Sequence, residues 1–232
     1  MQKFLAVSLL VSFVAIFPAS AQEEVIVTAQ RRDADGYSAD VPAVGLRRTA
    51  DFAIQEVTIT GDSRDAGTRA DEIFGMLENA LGAANKAGVQ LAYGDATVEP
   101  VTPKNFRTLT LLKDSRPDSQ RVKFLVKSAL GPAQDAKAAQ AKINAFVKSV
   151  KPVGRALMET SDDLTFSVVR PDQYRSAVAD IIANDAKAMA ARMGADYGVE
   201  IEGLNRPVEW QRSGLSEVLL YIPYKLVVTP KR

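Results

Sequence analysis

Three stretches of this chain place apolar residues at helical spacing, and short β-prone runs fill the intervals between them. Ile73, Leu77, Ala80 (with Leu81) and Ala84 form the first stripe. Ala139, Ile143, Phe146 and Val150 form the second, and Val178, Ile182, Ala186, Met189 and Met193 the third. Residues three or four apart share a helix face, so each stripe has to be buried against another layer. Thr68, with Asp71 three residues later, is placed to open the first helix, and Gly88 to stop it. Gly131-Pro132 opens the second, which ends before Pro152; the third runs over residues 172–193, with Gly194 after it.

The intervals read as strands. Residues 52–60 alternate apolar and polar, but the alternation slips one place at Gln55-Glu56, which predicts a bulge. Residues 89–101 form a strand interrupted at Gly94-Asp95. Residues 105–112 and 120–130 are both strand-like, with Arg116-Pro117-Asp118 as a turn between them. Residues 164–169, 198–210 and 217–228 complete the set, and Pro223 places the last at an edge or a bulge. The order β-α-β-β-β-α-β-α-β-β predicts an α+β fold, with amphipathic helices packed on a mainly antiparallel sheet.

The N-terminus has a different character. Lys3 precedes a fourteen-residue apolar run, residues 4–17, broken only by Ser8 and Ser12. Pro18 ends the run, and Ala19 and Ala21 are the small residues that fit a signal peptidase pocket. The run is short for about 30 Å of hydrocarbon, and no Cys follows it to carry a lipid anchor. Residues 1–21 therefore read as a secretory signal, the mature chain as starting at Gln22, and the destination as the periplasm. Residues 33–48 are small and polar, with no period of 3.6 or 2, and read as a flexible linker with a reach of roughly 25 Å. A folded domain over residues 49–232 follows.

Composition narrows the chemistry. The chain has 29 Lys and Arg against 28 Asp and Glu. Removing residues 1–21 deletes Lys3 and no acid, which leaves the mature protein neutral and argues against a nucleic-acid face. There is no Cys and no His. Disulfides, thiol nucleophiles, Ser-His triads, imidazole-bound zinc and His acid–base catalysis are thereby excluded. Asp33, Asp35 and Asp40 hint at a calcium loop but lack the Glu of an EF-hand, so a solvated linker is the better account. Asp162-Asp163 suits a turn or cap. Arg206, Trp210 and Arg212 are a candidate surface-binding cluster around the single Trp, with cross-strand packing of that Trp as the alternative. No enzyme activity, metal or cofactor is expected.

Two resemblances carry the functional expectation. Asp185-Ala186-Lys187-Ala188, Ala190-Ala191 and Gly194, leading into Tyr197-Gly198-Val199-Glu200-Ile201, resemble the late helix-to-strand segment of SIMPL-domain periplasmic proteins. Val57-Thr58-Ile59-Thr60-Gly61-Asp62 before an Ala-rich helix is similar to that family's opening. The resemblance implies a binding or assembly protein, able to form homo-oligomers, without agreed catalytic residues.

The second is local. Glu24, Val25, Ile26, Val27, Thr28 and Ala29, flanked by Glu23 and by Arg31-Arg32, resemble the TonB box of TonB-dependent outer-membrane receptors. They lie just behind the cleavage site and ahead of the linker. The resemblance implies β-augmentation, in which the segment adds as a strand to an exposed edge of TonB or a TonB-like transducer. β-branched residues are stiff when extended, which lowers the ordering cost. Plug and barrel are both missing, so the segment would serve a periplasmic accessory, with an outer-membrane receptor as a further partner, in an envelope transport process. The alternatives are that Val25 to Ala29 form an edge strand of the body or a disordered end, on a structural or ligand-binding oligomer with no TonB contact.

Overall fold

Regular alternation and helical stripes fix most of the architecture of the computed structural model, which describes residues 24–25, 41–95, 97–114 and 116–231. The expected signal and cleavage residues, the remainder of the TonB-box-like segment (Ile26 to Ala29) and the acidic linker residues Asp33, Asp35 and Asp40 lie outside the described residues.

The strands in chain order are β1 (Glu24–Val25), β2 (Leu46–Thr49), β3 (Phe52–Gly61), β4 (Gln90–Tyr93), β5 (Thr97–Pro100), β6 (Leu112–Lys113), β7 (Gln120–Ala129), β8 (Leu157–Ser167), β9 (Tyr197–Glu202), β10 (Glu209–Arg212), β11 (Glu217–Tyr221) and β12 (Lys225–Pro230). The helices are α1 (Ala66–Ala87), α2 (Ala136–Ser149) and α3 (Arg175–Met193). The main sheet runs β1-β5-β4-β7-β3-β8, with β6 also on β7. A second sheet runs β10-β11-β2, and β12 pairs with β9. Every pairing is antiparallel, so the fold is α+β as the sequence predicts.

α1 and α2 cover one face of the main sheet. Ile73, Leu77 and Ala80 of α1 and Ile143 and Phe146 of α2 meet Val57, Ile59, Phe124 and Val126 in the first core. The second core joins Val178 and Ile182 of α3 to Trp210, Val218 and Leu220 of the second sheet, and to Ala53 and Phe166 at one end of β3 and β8. On the main sheet's other face a small cluster of Ile54, Ala92 and Val98 packs with Phe52 and Leu125.

Local signals are realised with shifts. Gly88 caps α1 at φ 66°, as expected of a left-handed stop. The N-cap is Asp65 rather than Thr68: its carboxylate accepts from Thr68 N at 2.7 Å and from Thr68 Oγ1 at 2.8 Å. α2 opens behind Asp135, whose carboxylate accepts from Ala138 N at 2.8 Å, because Gly131 and Gln134 first pair into a turn. The bulge expected in β3 is found in its partner: β3 pairs with β7 without a break, and at the register shift between Gln55 and Val57 the extra residues, Ser161 to Asp163, are on β8.

Several expectations are corrected. Residues 105–112 hold a 3₁₀ turn (Phe106–Thr108) and then the short β6, because Phe106 and Leu109, three apart, both enter the first core. Residues 198–210 split into β9 and β10 of different sheets at Gly203, φ 97°, where Arg206 N donates to Gly203 O. Residues 217–228 split likewise, with Pro223 in the break between β11 and β12. Met189 and Met193 are 37% and 57% exposed, since the end of α3 overhangs the second core. The folded part also starts earlier than residue 49: β2 takes up the last residues of the expected linker.

Candidate functional site

The strand-acceptor edge of the main sheet is built by the β4–β5 hairpin. Gly94 turns it at φ 115°, where an added Cβ would lie 2.1 Å from Thr97 O, so the turn admits only glycine without distortion. Tyr93 OH donates to Glu99 Oε2 at 2.5 Å across the hairpin. That hydrogen bond to a carboxylate holds the Tyr93 hydroxyl above its ordinary range. Val101 N donates to Leu91 O at 2.9 Å, and Asn105 Nδ2 to Pro100 O at 3.0 Å, which tie the far end of β5 to the body. Val98 is buried and Thr97 exposed.

On the outer side of β5 lies β1. Glu24 pairs with Val98 and Val25 with Thr97, antiparallel. Two of the six residues of the TonB-box-like segment are therefore extended and already joined to a sheet edge, the edge-strand alternative of the sequence reading. A strand of this chain serves there as its own augmenting strand.

The candidate surface cluster does not assemble, which corrects that expectation. Trp210 is only 4% exposed and packs in the second core, opposite Leu220 of β11. Its Nε1 finds no acceptor among the described residues. The Arg212 guanidinium lies 4.5 Å from the Phe166 ring centroid, and its N–H groups donate to the carbonyls of Gly214 and Leu215. Arg206 is exposed in the turn before β10, where its carbonyl accepts from Arg175 Nη2 at 2.6 Å. Cross-strand packing is thus the role of Trp210, while the stacked Arg212 lies over Phe166 rather than over the Trp.

A shallow recess at the far end of β3 was not legible in the sequence. Asp62, Asp114, Arg116, Ser119 and Arg155 line it. Arg155 Nε and Nη2 donate to the two carboxylate oxygens of Asp62 at 2.7 and 2.9 Å, and this pairing holds the Asp62 carboxyl below its usual range. Ser119 Oγ donates to Asp114 Oδ2 at 3.0 Å, and Arg121 Nη1 approaches Asp114 Oδ1 at 3.5 Å. Both carboxylates of the recess thus have hydrogen-bonded partners, Asp114 in Ser119 and Asp62 in Arg155. Asp62 and Arg155 are 93 residues apart, so no local spacing marks them. Among the described residues no group of three or more Asp and Glu could hold a metal ion, and no helix is long and apolar enough to cross a membrane.

No protein-family model, curated protein or solved structure matches the chain.

Proposed function

We propose that this is a non-enzymatic periplasmic protein of SIMPL-like type that engages TonB, or a TonB-like transducer, through Glu24 to Ala29. It would serve an outer-membrane or envelope transport process, with a receptor as a further partner. The observation that carries this reading is the β-prone run Glu24 to Ala29 itself; its first two residues, extended against β5, have the backbone conformation that a transducer edge requires, although that pairing is also the edge-strand alternative. The acidic and Arg flanks and the position behind the expected cleavage site support it. The test is binding of the mature protein to the isolated TonB C-terminal domain by calorimetry or crosslinking. Val25→Pro with Val27→Pro removes two ladder donors and should abolish binding. Unchanged affinity in that variant would sink the proposal.

One observation favours a second reading, a homo-oligomer without transducer contact. Met189, Met193 and Tyr197 are exposed beside the two-stranded β9–β12 ribbon. An isolated two-stranded ribbon is marginal in water, and its outer edges are open to a second copy. Light scattering on the mature protein and on Met193→Glu separates the readings. A multimer that dissociates in the variant, in a protein that fails to bind the transducer domain, supports the oligomer.

A further inference from the structure

We infer that the outward face of α2 is a docking surface for anionic phospholipid headgroups, which holds the protein against a membrane surface by charge alone. The inference stands apart from the transducer reading and draws on different residues.

The face begins in the sequence. Residues 137–151 hold four lysines and no Asp or Glu. Ala136, Ala139, Ile143, Phe146 and Val147 fill the buried side of the helix, in the two cores. Lys137, Ala141 and Lys148 share the opposite side, and all three are exposed. At 1.5 Å per residue the two lysines stand about 16 Å apart along the axis. Lys151, just past the helix, is exposed and extends the row. Lys142, at the flank, donates to Gln134 Oε1.

Nothing inside the fold accounts for the three outward charges. Lys137 lies in the first turn of α2, where the helix dipole disfavours a cation, and no acidic residue stands in that turn to offset it. Cations of other elements find carboxylates, as Arg155 does with Asp62 and Lys123 with Glu56. Among the described residues, Lys137, Lys148 and Lys151 enter no ion pair. The chain as a whole is nearly balanced, with 29 Lys and Arg against 28 Asp and Glu. The lysine face is therefore a local segregation, not the overflow of a basic protein.

The chemistry of the face selects its occupant. A stable protein interface needs a buried aromatic or apolar anchor, and lysine is depleted from its centre. Here exposed alanines, Ala138, Ala141 and Ala145, lie between the lysines, and the one aromatic of α2, Phe146, is buried. The ammonium groups are thus the outermost points of the face. An array of lipid phosphates asks for positive charge and no anchor, and each lysine near it adds to the attraction. The apolar stripe of α2 is already used in the cores, so the helix does not insert and the contact stays sensitive to salt. One acid borders the face. Glu78 of α1 is exposed, and Asn79 beside it donates to Lys151 O at 3.1 Å.

The test is sedimentation of the mature protein with phosphatidylcholine vesicles, with and without phosphatidylglycerol. Binding should require phosphatidylglycerol and be lost in about 1 M salt, where the screening length is about 3 Å. Lys137→Gln with Lys148→Gln and Lys151→Gln should weaken it at least ~10-fold. Removing as many charges from other exposed lysines, by Lys104→Gln with Lys113→Gln and Lys225→Gln, should change it less than ~3-fold. Glu78→Gln should tighten it ~3-fold or more. Because Gln is a good helix former, Lys137→Gln should leave the thermal midpoint unchanged or raised; a fall would give Lys137 a role inside the fold and overturn its place on the face. No binding, equal binding to both vesicle types, or binding that survives the α2 triple variant overturns the proposal. Binding to soluble polyglutamate but not to the vesicles overturns it too, and gives the face to an acidic protein.

Discussion

Lys127 shows how a single residue can set a pH dependence in this fold. It lies on β7 directly across from Ile54 of β3 and Gln90 of β4, and is 6% exposed. Its ammonium sits 4.3 Å from the Phe52 ring centroid. Burial disfavours the charged form and pulls its pKa down to about 8. The folded value lies below the unfolded one, so between about pH 8 and about pH 10.5 the unfolded chain binds the extra proton. Stability attributable to this group therefore rises with pH across that window; below it both states are charged and the burial cost is felt in full. Lys127→Met should remove that rise, measured by urea denaturation at several pH values across the window. Retention of the rise in the variant would assign it to other groups. Trp210 is the second residue-scale case. Its ring fills the second core while its Nε1 has no acceptor among the described residues. Trp210→Phe should thus cost under about 1.5 kcal/mol and Trp210→Ala about 3–5 kcal/mol, by chemical denaturation. The sequence could show one Trp among Arg206, Glu209 and Arg212, but not which face of a four-residue strand would turn inward.

Elements were legible where their signals are local. The α1 stripe with Gly88 is read from neighbouring residues and reappears as a capped helix, whereas the slip at Gln55-Glu56 faces extra residues on β8 and is no bulge of β3 itself. Strand boundaries that depend on which sheet a residue joins were not legible. β9 and β10 read as one run but belong to different sheets, and the turn over residues 203–208, opened by Gly203 at φ 97°, separates their paths. The candidate site divides in the same way. The segment Glu24 to Ala29 stands out in the sequence, whereas its acceptor β5 is the far half of what reads as one interrupted strand. The β4–β5 turn offers a prediction at this scale. Gly94→Ala combines an unfavourable positive φ with a Cβ 2.1 Å from a carbonyl oxygen. It should cost at least ~2 kcal/mol, and amide exchange should quicken over β4 and β5 before anywhere else in the main sheet. Unchanged exchange there would mean that the hairpin tolerates another turn.

At the scale of the whole molecule the question is whether two cores mean two folding units. Three elements belong to both. α2 gives Ile143 and Phe146 to the first core and Ala136 and Ala139 to the second. β3 gives Val57 and Ile59 to the first and Ala53 to the second. β8 contributes Met158 at one end and Phe166 at the other. Pulling the cores apart would break α2 and the paired strands β3 and β8 of the main sheet, rather than open a linker. The connection is reinforced by side chains at the seam. Ser216 Oγ accepts from Ala136 N at 2.8 Å, and Asp51 Oδ2 from Val169 N at 2.7 Å. Losing either core therefore exposes the shared elements of the other, which is the physical condition for all-or-none unfolding. The sole Trp makes this measurable, because Trp210 reports on the second core alone, while far-UV circular dichroism reports on all three helices, two of which cover the first. Urea curves followed by Trp emission and by circular dichroism should coincide in midpoint and slope. If emission changes at lower urea than ellipticity, α3 with its two small sheets unfolds as a separate unit, and the shared strands do not couple the halves.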